Sequence, residues 1–221
     1  MTTLRILEGL GTTVSIYAIT ILLSIPAGML LGICKIGIKN KWVLKGLNAY
    51  TALFRGTPLL LQLFFIYYGL RGISFVAFGY QIQPFGFLDA FSSAAIAFVL
   101  NYAAYFAEIF RGGIQAVEKG QFEAAKALGF SYSKAMIYII IPQGIRSVLP
   151  AVANESITLV KDTALVAAIA MGDLLRNSKE IVVRDGNLAP FLIVGVIYLM
   201  LSLIIHYVFR TIEQKQALKY N

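Results

Sequence analysis

Five stretches of mostly apolar residues, each long enough to cross a lipid bilayer as a helix, constrain this chain more than any other feature. They fall at roughly 11–35, 47–70, 90–110, 147–171 and 189–209, between clusters of charge. About 20 apolar residues are needed per crossing, because a helix rises about 1.5 Å per residue and the hydrocarbon is about 30 Å thick. In lipid the backbone must satisfy its own polar groups, so the expected class is an all-α membrane protein with five transmembrane helices. Composition agrees: 58% of the 221 residues are hydrophobic and 14% charged. A soluble domain could not solvate that balance.

The +8 formal charge does not indicate nucleic acid, since Lys and Arg lie mostly between apolar runs rather than in a basic tract with interleaved aromatics. They orient the spans instead. Lys35, Lys39, Lys41 and Lys45, then Arg111, Lys119, Lys126, Lys134 and Arg146, then Arg210, Lys215 and Lys219 fall on one side, which predicts that side to be cytoplasmic. The other side holds Arg5, Arg71, Arg176, Lys179 and Arg184, the last three offset by Asp173, Glu180 and Asp185. The expected topology is N-terminus out and C-terminus in. Cys34 is the single cysteine and forms no internal disulfide; it reads as packing. The first apolar run is too long for a signal core and has no Ala-x-Ala exit, so it reads as span one.

Between spans three and four, the segment 112–146 carries helix formers from Glu123 through Ala124, Ala125, Lys126 and Ala127 to Leu128, ended by Gly129. A second run is predicted from Ser131, as N-cap, to Ile141, with Pro142 limiting its continuation. An amphipathic hairpin resting on the membrane surface would satisfy the composition. The spacing goes further: Glu123-Ala124-Ala125, Gly129, Ile139 and Pro142 resemble the EAA, G, I-x-L-P signature of ABC importer permeases, with Ile141 in place of Leu. Leu7-Glu8-Gly9 with Thr12-Thr13, Phe54-Arg55-Gly56-Thr57-Pro58, Ala107 to Gly113, and Asn154-Glu155 with Lys161-Asp162-Thr163 look like the polar amino acid branch of that family. The likeness covers nearly the whole chain.

The resemblance implies a single permease domain over 1–221 of the type I importer kind, with 112–146 as the coupling segment and Glu123, Ala124, Ala125 and Gly129 as its contact with an ATPase. It implies as partners two ABC ATPase subunits that hold ATP and Mg, a second permease copy or related chain, and an extracytoplasmic solute-binding protein. The implied site of action is a bacterial or archaeal cytoplasmic membrane. This chain itself has no G-x-x-x-x-G-K-[ST] loop to cradle phosphate, no His pair for zinc and no G-x-S-x-G elbow, so no cofactor and no enzymatic centre are expected in it.

Ionisable groups at bilayer depth cost about 2.5–3.5 kcal/mol each on insertion scales and need a reason. Here they recur at helical spacing: Thr51, Arg55, Pro58 and Gln62; Asn101, Tyr105 and Glu108; Glu155, Thr158 and Asp162, beside Asn154 and Lys161. Either these faces line a wet cavity, with carboxylates for a substrate ammonium or guanidinium and Arg55 for its carboxylate, or they pair internally. The candidate substrate residues are Arg55, Thr57, Asn154, Glu155, Asp162 and Glu108. Two basic against three acidic side chains favour a cationic amino acid (arginine, lysine or histidine), with glutamine or another polar amino acid next. Pro58 is the expected hinge. His206 reads as a packed or interfacial residue, and Trp42 as an interfacial anchor. The loop from Arg71 to Asp89 reads as an aromatic belt or as a seat for the binding protein.

The rival functions are a secondary transporter or channel, in which Glu108, Glu155 and Asp162 relay ions, and a membrane enzyme or assembly scaffold. The lack of an internal repeat argues against the first. Five unrepeated spans hardly enclose a pathway alone, so a dimer is expected.

Overall fold

A computed structural model describes residues 2–70, 72–77 and 80–218. Arg71 and Lys219, used above to orient the spans, lie outside them. Three described helical stretches are long and apolar enough to cross a membrane: Thr3–Gly37, Ala90–Gln115 and Ala189–Gln216. Two bent helix pairs, Lys41–Gly56 with Leu59–Leu70 and Tyr132–Ser147 with Leu149–Ile169, pass the same test when each is taken together, and counted as one crossing apiece they bring the number among the described residues to five.

The first stretch joins α1 (Thr2–Glu8) to α2 (Leu10–Gly37) across Gly9. A Cβ at Gly9 would lie 2.3 Å from the Asp173 carbonyl carbon, so only glycine allows this approach. Thr13, Ile16, Thr20, Ser24, Gly28 and Gly32 recur every three or four residues on α2 and are all buried. Small residues let helix backbones approach closely in lipid, where apolar burial alone gives little drive. This stripe lies on α5 (Ala90–Gln115), whose Phe98, Tyr102, Phe106 and Phe110 form the centre of the core. The buried Thr20 hydroxyl folds back onto its own helix, Oγ1 donating to the Ile16 carbonyl at 2.7 Å.

Span two breaks at Pro58, where a bend was expected, and it does so as two separate helices rather than as one kinked helix. α3 (Lys41–Gly56) and α4 (Leu59–Phe64), the latter extended by a π-helical turn Phe65–Leu70, meet at 105°. Thr57 and Pro58 are both extended, as a residue before proline and a proline prefer to be. A short antiparallel strand pair, Phe75–Ala77 with Tyr80–Ile82, follows in the loop before α5. Asp89 then caps α5 through a reciprocal capping box with Ser92.

After α5 come α6 (Lys119–Ala127) and α7 (Tyr132–Ala135). Pro142 does not end the second run, as the sequence suggested. A π-helical stretch Met136–Ile140 carries the chain into α8 (Ile141–Ser147), with Pro142 in its first turn, where a missing N–H costs least. α9 (Leu149–Asp162) departs at 48° and tightens into a 3₁₀ stretch Thr163–Ile169. α10 (Leu174–Asp185) packs on α1, and α11 (Ala189–Leu218) closes the chain. The carboxylate of Asp173, a buried residue, caps α10 by accepting from the Arg176 and Leu175 amides at 2.9 and 3.2 Å. Burial nevertheless pushes this carboxyl above its usual range.

Candidate functional site

The break between α3 and α4 builds the site. Proline at position 58 offers no N–H to the Phe54 carbonyl four residues earlier, and an unpaired carbonyl at membrane depth is costly. Two side-chain amides replace that donor: Gln62 Nε2 at 2.9 Å and Asn101 Nδ2 at 2.8 Å. Asn101 also donates to Gln62 Oε1 at 3.0 Å, so each amide orients the other. Gln62 and Asn101, expected among the pathway's polar stripes, thus hold the 105° bend between α3 and α4.

Beside the break lies a cavity of about 510 Å³, lined by Arg55, Thr57, Asn101, Tyr105, Glu155 and Asp162 among others. Four of the six candidate substrate residues therefore converge, from α3, the linker and α9. The Arg55 guanidinium lies 5.3 Å from the Tyr105 ring centre, within cation–π range. Tyr102, also in the lining, donates its hydroxyl to Asp162 Oδ2 at 2.7 Å. The sequence reading missed Tyr102, although it lies one helical turn from Tyr105 and Phe106 in an aromatic-rich helix.

The other two candidates lie elsewhere. Glu108, at the far end of α5, bonds Lys35 Nζ and accepts from Arg111 Nε at 2.8 Å. Lys35 also donates to Thr51 Oγ1 at 2.8 Å, which ties α2, α3 and α5 together. Its side chain is only 5% exposed, so it belongs to a helix-linking network rather than to an orienting loop. The internal pairing that the sequence left open is thus made for Glu108 by Lys35 and Arg111. Asn154 is one position from Glu155, about 100° around α9, and lines a different cleft. Lys161 is exposed and does not line the cavity. The excess of one negative charge survives with fewer residues, now as Arg55 against Glu155 and Asp162.

The coupling segment has its own geometry. Gly129 has φ +82°, the Phe130 amide donates to the Ala125 carbonyl at 3.0 Å and the Gly129 amide to that of Lys126 at 3.0 Å. That pairing is a Schellman stop, and it needs glycine at the left-handed position. Glu123, Ala124 and Gly129 are exposed, while Ala125 is 1% exposed and faces this chain's own α7 side. Ala125 therefore packs within this chain. Phe122 and Tyr132 rings, 5.1 Å apart, fasten α6 to α7. A Cβ at Gly113 would meet Val148 Cγ1 at 2.0 Å and one at Gly144 would meet Ile114 Cα at 2.6 Å, so α8 rests directly on the end of α5.

Residues 24–217 match the family model described as binding-protein-dependent transport system inner membrane component. The chain is 40% identical over 211 residues to the arginine transport system permease protein ArtQ of Bacillus subtilis, covering 95% of this chain and 91% of that protein. It is 36% identical to a putative glutamine transport system permease protein GlnP of Rickettsia conorii, covering 95% and 92%. A solved amino acid ABC transporter with histidines superposes with TM-score 0.84 at 33% identity, over 96% of this chain and 94% of that one. The inward-facing MetNI methionine ABC transporter, at 20% identity and TM-score 0.72, shares the fold over 97% and 95%. The chain belongs to the binding-protein-dependent transport system inner membrane component family and is the permease subunit of an amino acid ABC importer, its ATPase being a separate subunit.

Proposed function

We propose that this permease carries a cationic amino acid, of the arginine or lysine kind, through the cavity beside the α3–α4 break. The observation that supports this most is the charge of the lining: Glu155 and Asp162 against Arg55. Arg55 and Thr57 receive the substrate carboxylate, which a guanidinium binds with two parallel hydrogen bonds. Glu155 receives the distal cation, with Asp162 held in place by Tyr102. A cationic amino acid carries net charge +1 and neutralises the cavity. Glutamine leaves one carboxylate unmatched, although the rickettsial relatives named for glutamine keep it as the second reading.

In this proposal two ATPase subunits bind ATP and Mg and dock on the face bearing Glu123, Ala124 and Gly129, within the coupling segment 112–146. Two permease chains, identical or related, pair in a bacterial or archaeal cytoplasmic membrane, N-terminus outside and C-terminus inside. An extracytoplasmic solute-binding protein delivers the substrate. The test is ATP-driven uptake of labelled arginine, lysine, histidine and glutamine by vesicles holding the complete transporter. Arginine or lysine is expected to be preferred, with Glu155→Gln raising its half-saturating concentration about 10- to 100-fold. Glutamine preferred over arginine by the unaltered protein refutes the charge argument.

A further inference from the structure

A second polar cleft, of about 370 Å³, separates α9 from α11; Pro150, Asn154, His206, Phe209, Arg210 and Glu213 line it. The substrate cavity does not share it. Its depth can be read along α11, which starts at Ala189. About 20 residues carry a helix across the hydrocarbon, so α11 leaves it near Phe209. Arg210 and Glu213 then sit in the headgroup layer and His206 one turn inside it. Among the described residues none of the four polar side chains has a hydrogen-bond or ion-pair partner. Arg210 and Glu213 share a face of α11, three residues apart, yet are not bonded to each other. Two opposite charges and two further donors thus line one space beside α11.

We propose that this cleft binds the headgroup of a phospholipid of the ethanolamine type. The phosphodiester lies on Arg210, whose planar fork fits two phosphate oxygens, with Asn154 Nδ2 and the His206 ring as further donors. The ammonium lies on Glu213. Side chains three apart on a helix stand about 5–6 Å from each other at Cβ, close to the span of a two-carbon bridge between phosphate and ammonium. A trimethylated choline has no N–H to give Glu213, and a glycerol headgroup leaves that carboxylate facing no cation. The cleft as a whole is neutral, which suits a zwitterion better than a free phosphate dianion. Leu192, Val196, Leu199 and Leu203, all well exposed on α11, provide apolar surface for the acyl chains. Asn154 precedes Glu155 of the substrate cavity on α9, so a lipid seated here bears on the helix that carries the pathway's carboxylates.

The test uses the full-length permease purified with its ATPase, delipidated and returned to nanodiscs of mixed phosphatidylethanolamine, phosphatidylcholine and phosphatidylglycerol, with retained lipid counted by native mass spectrometry. One tightly retained phosphatidylethanolamine per permease is expected. Arg210→Ala is expected to lower its retention about tenfold, with Arg210→Lys recovering part of it, which separates a lost contact from misfolding. Glu213→Gln should abolish the preference over phosphatidylcholine while phosphodiester binding persists. Lys215→Ala, outside the cleft, should change nothing. Equal retention of the three lipids, or variants that retain lipid like the unaltered protein, overturns the proposal. Displacement of the lipid by equimolar water-soluble glycerophosphoethanolamine also overturns it, by assigning the cleft to a soluble phosphodiester.

Discussion

The amide pair Gln62–Asn101 shows how one missing hydrogen in a backbone dictates side chains far away in sequence. Pro58 frees the Phe54 carbonyl, and Asn101, 47 residues distant, supplies a replacement donor. Asn101→Leu removes that donor and also leaves Gln62 Oε1 without its partner, at a cost of about 1–3 kcal/mol. A lowered thermal midpoint in detergent is expected, with substrate affinity disturbed less than by Glu155→Gln. Asp173 titrates in the opposite sense to a salt-bridged carboxylate. Burial raises its pKa in the folded state, so its contribution to stability is full below the unfolded pKa and is lost as pH rises through the folded one. Asp173→Asn keeps one acceptor oxygen, for the Arg176 amide, gives up the bond to the Leu175 amide, and removes the titration. Thermal melts between pH 4 and about 8 should therefore show a smaller loss of stability with rising pH in the variant than in the parent. Asn101 and Asp173 carry chemical types that the sequence displays, but their partners are known only from the fold.

At the scale of elements, helix ends and spans were legible wherever the cause is local. Gly129 ends α6 where its type and position indicated, and the apolar runs ending near Lys35 and beginning at Ala90 and Ala189 became helices. Span two was not legible as two helices, because an apolar run containing proline reads the same whether the helix kinks or turns through 105°. Pro142 illustrates the converse: a proline that suggested a stop lies in the first turn of a helix continuing from a π-helical stretch. The α2–α5 contact is equally non-local. A Cβ at Gly28 would meet Phe106 Cβ at 2.4 Å, whereas one at Gly46 in α3 would meet nothing within 4 Å. Gly28→Ala is expected to destabilise the protein by about 1–3 kcal/mol through overpacking. Gly46→Ala is expected to stabilise it by about 0.5–1 kcal/mol, since alanine loses less backbone freedom on entering a helix. Melting both variants in the same detergent checks the pair.

At the scale of the whole molecule, one continuous path joins the segment 112–146, proposed to couple to the ATPase, to the cavity proposed for the substrate. α6 is fastened to α7 by the Phe122–Tyr132 ring pair, α7 runs through the π-helical stretch into α8, and α8 lies on α5 through Gly113 and Gly144. α9 then carries Glu155 and Asp162 into the cavity. A push on the exposed face of Glu123 and Ala124 therefore reaches both walls of the site through packed elements. Replacing Glu123 by Lys together with Gly129→Pro, which forbids the left-handed stop, is expected to abolish co-purification of the ATPase while the permease still inserts and elutes as before. Stoichiometric ATPase retained by that variant refutes the docking face.

Hydrophobic periodicity, the motif spacing and the distribution of Lys and Arg determined the membrane class, the five crossings and the family, because each depends on residues near one another in the chain or on bulk transfer to lipid. Tertiary structure decided which polar groups share a cavity and which are consumed in holding helices together. Glu108 and Glu155 are alike in type and in apparent depth, and only packing separates them: one meets Lys35 and Arg111, while the other faces open space beside Arg55. That distinction depends on how helices distant in sequence rotate and bend against one another, and the periodicity within a single helix does not encode it.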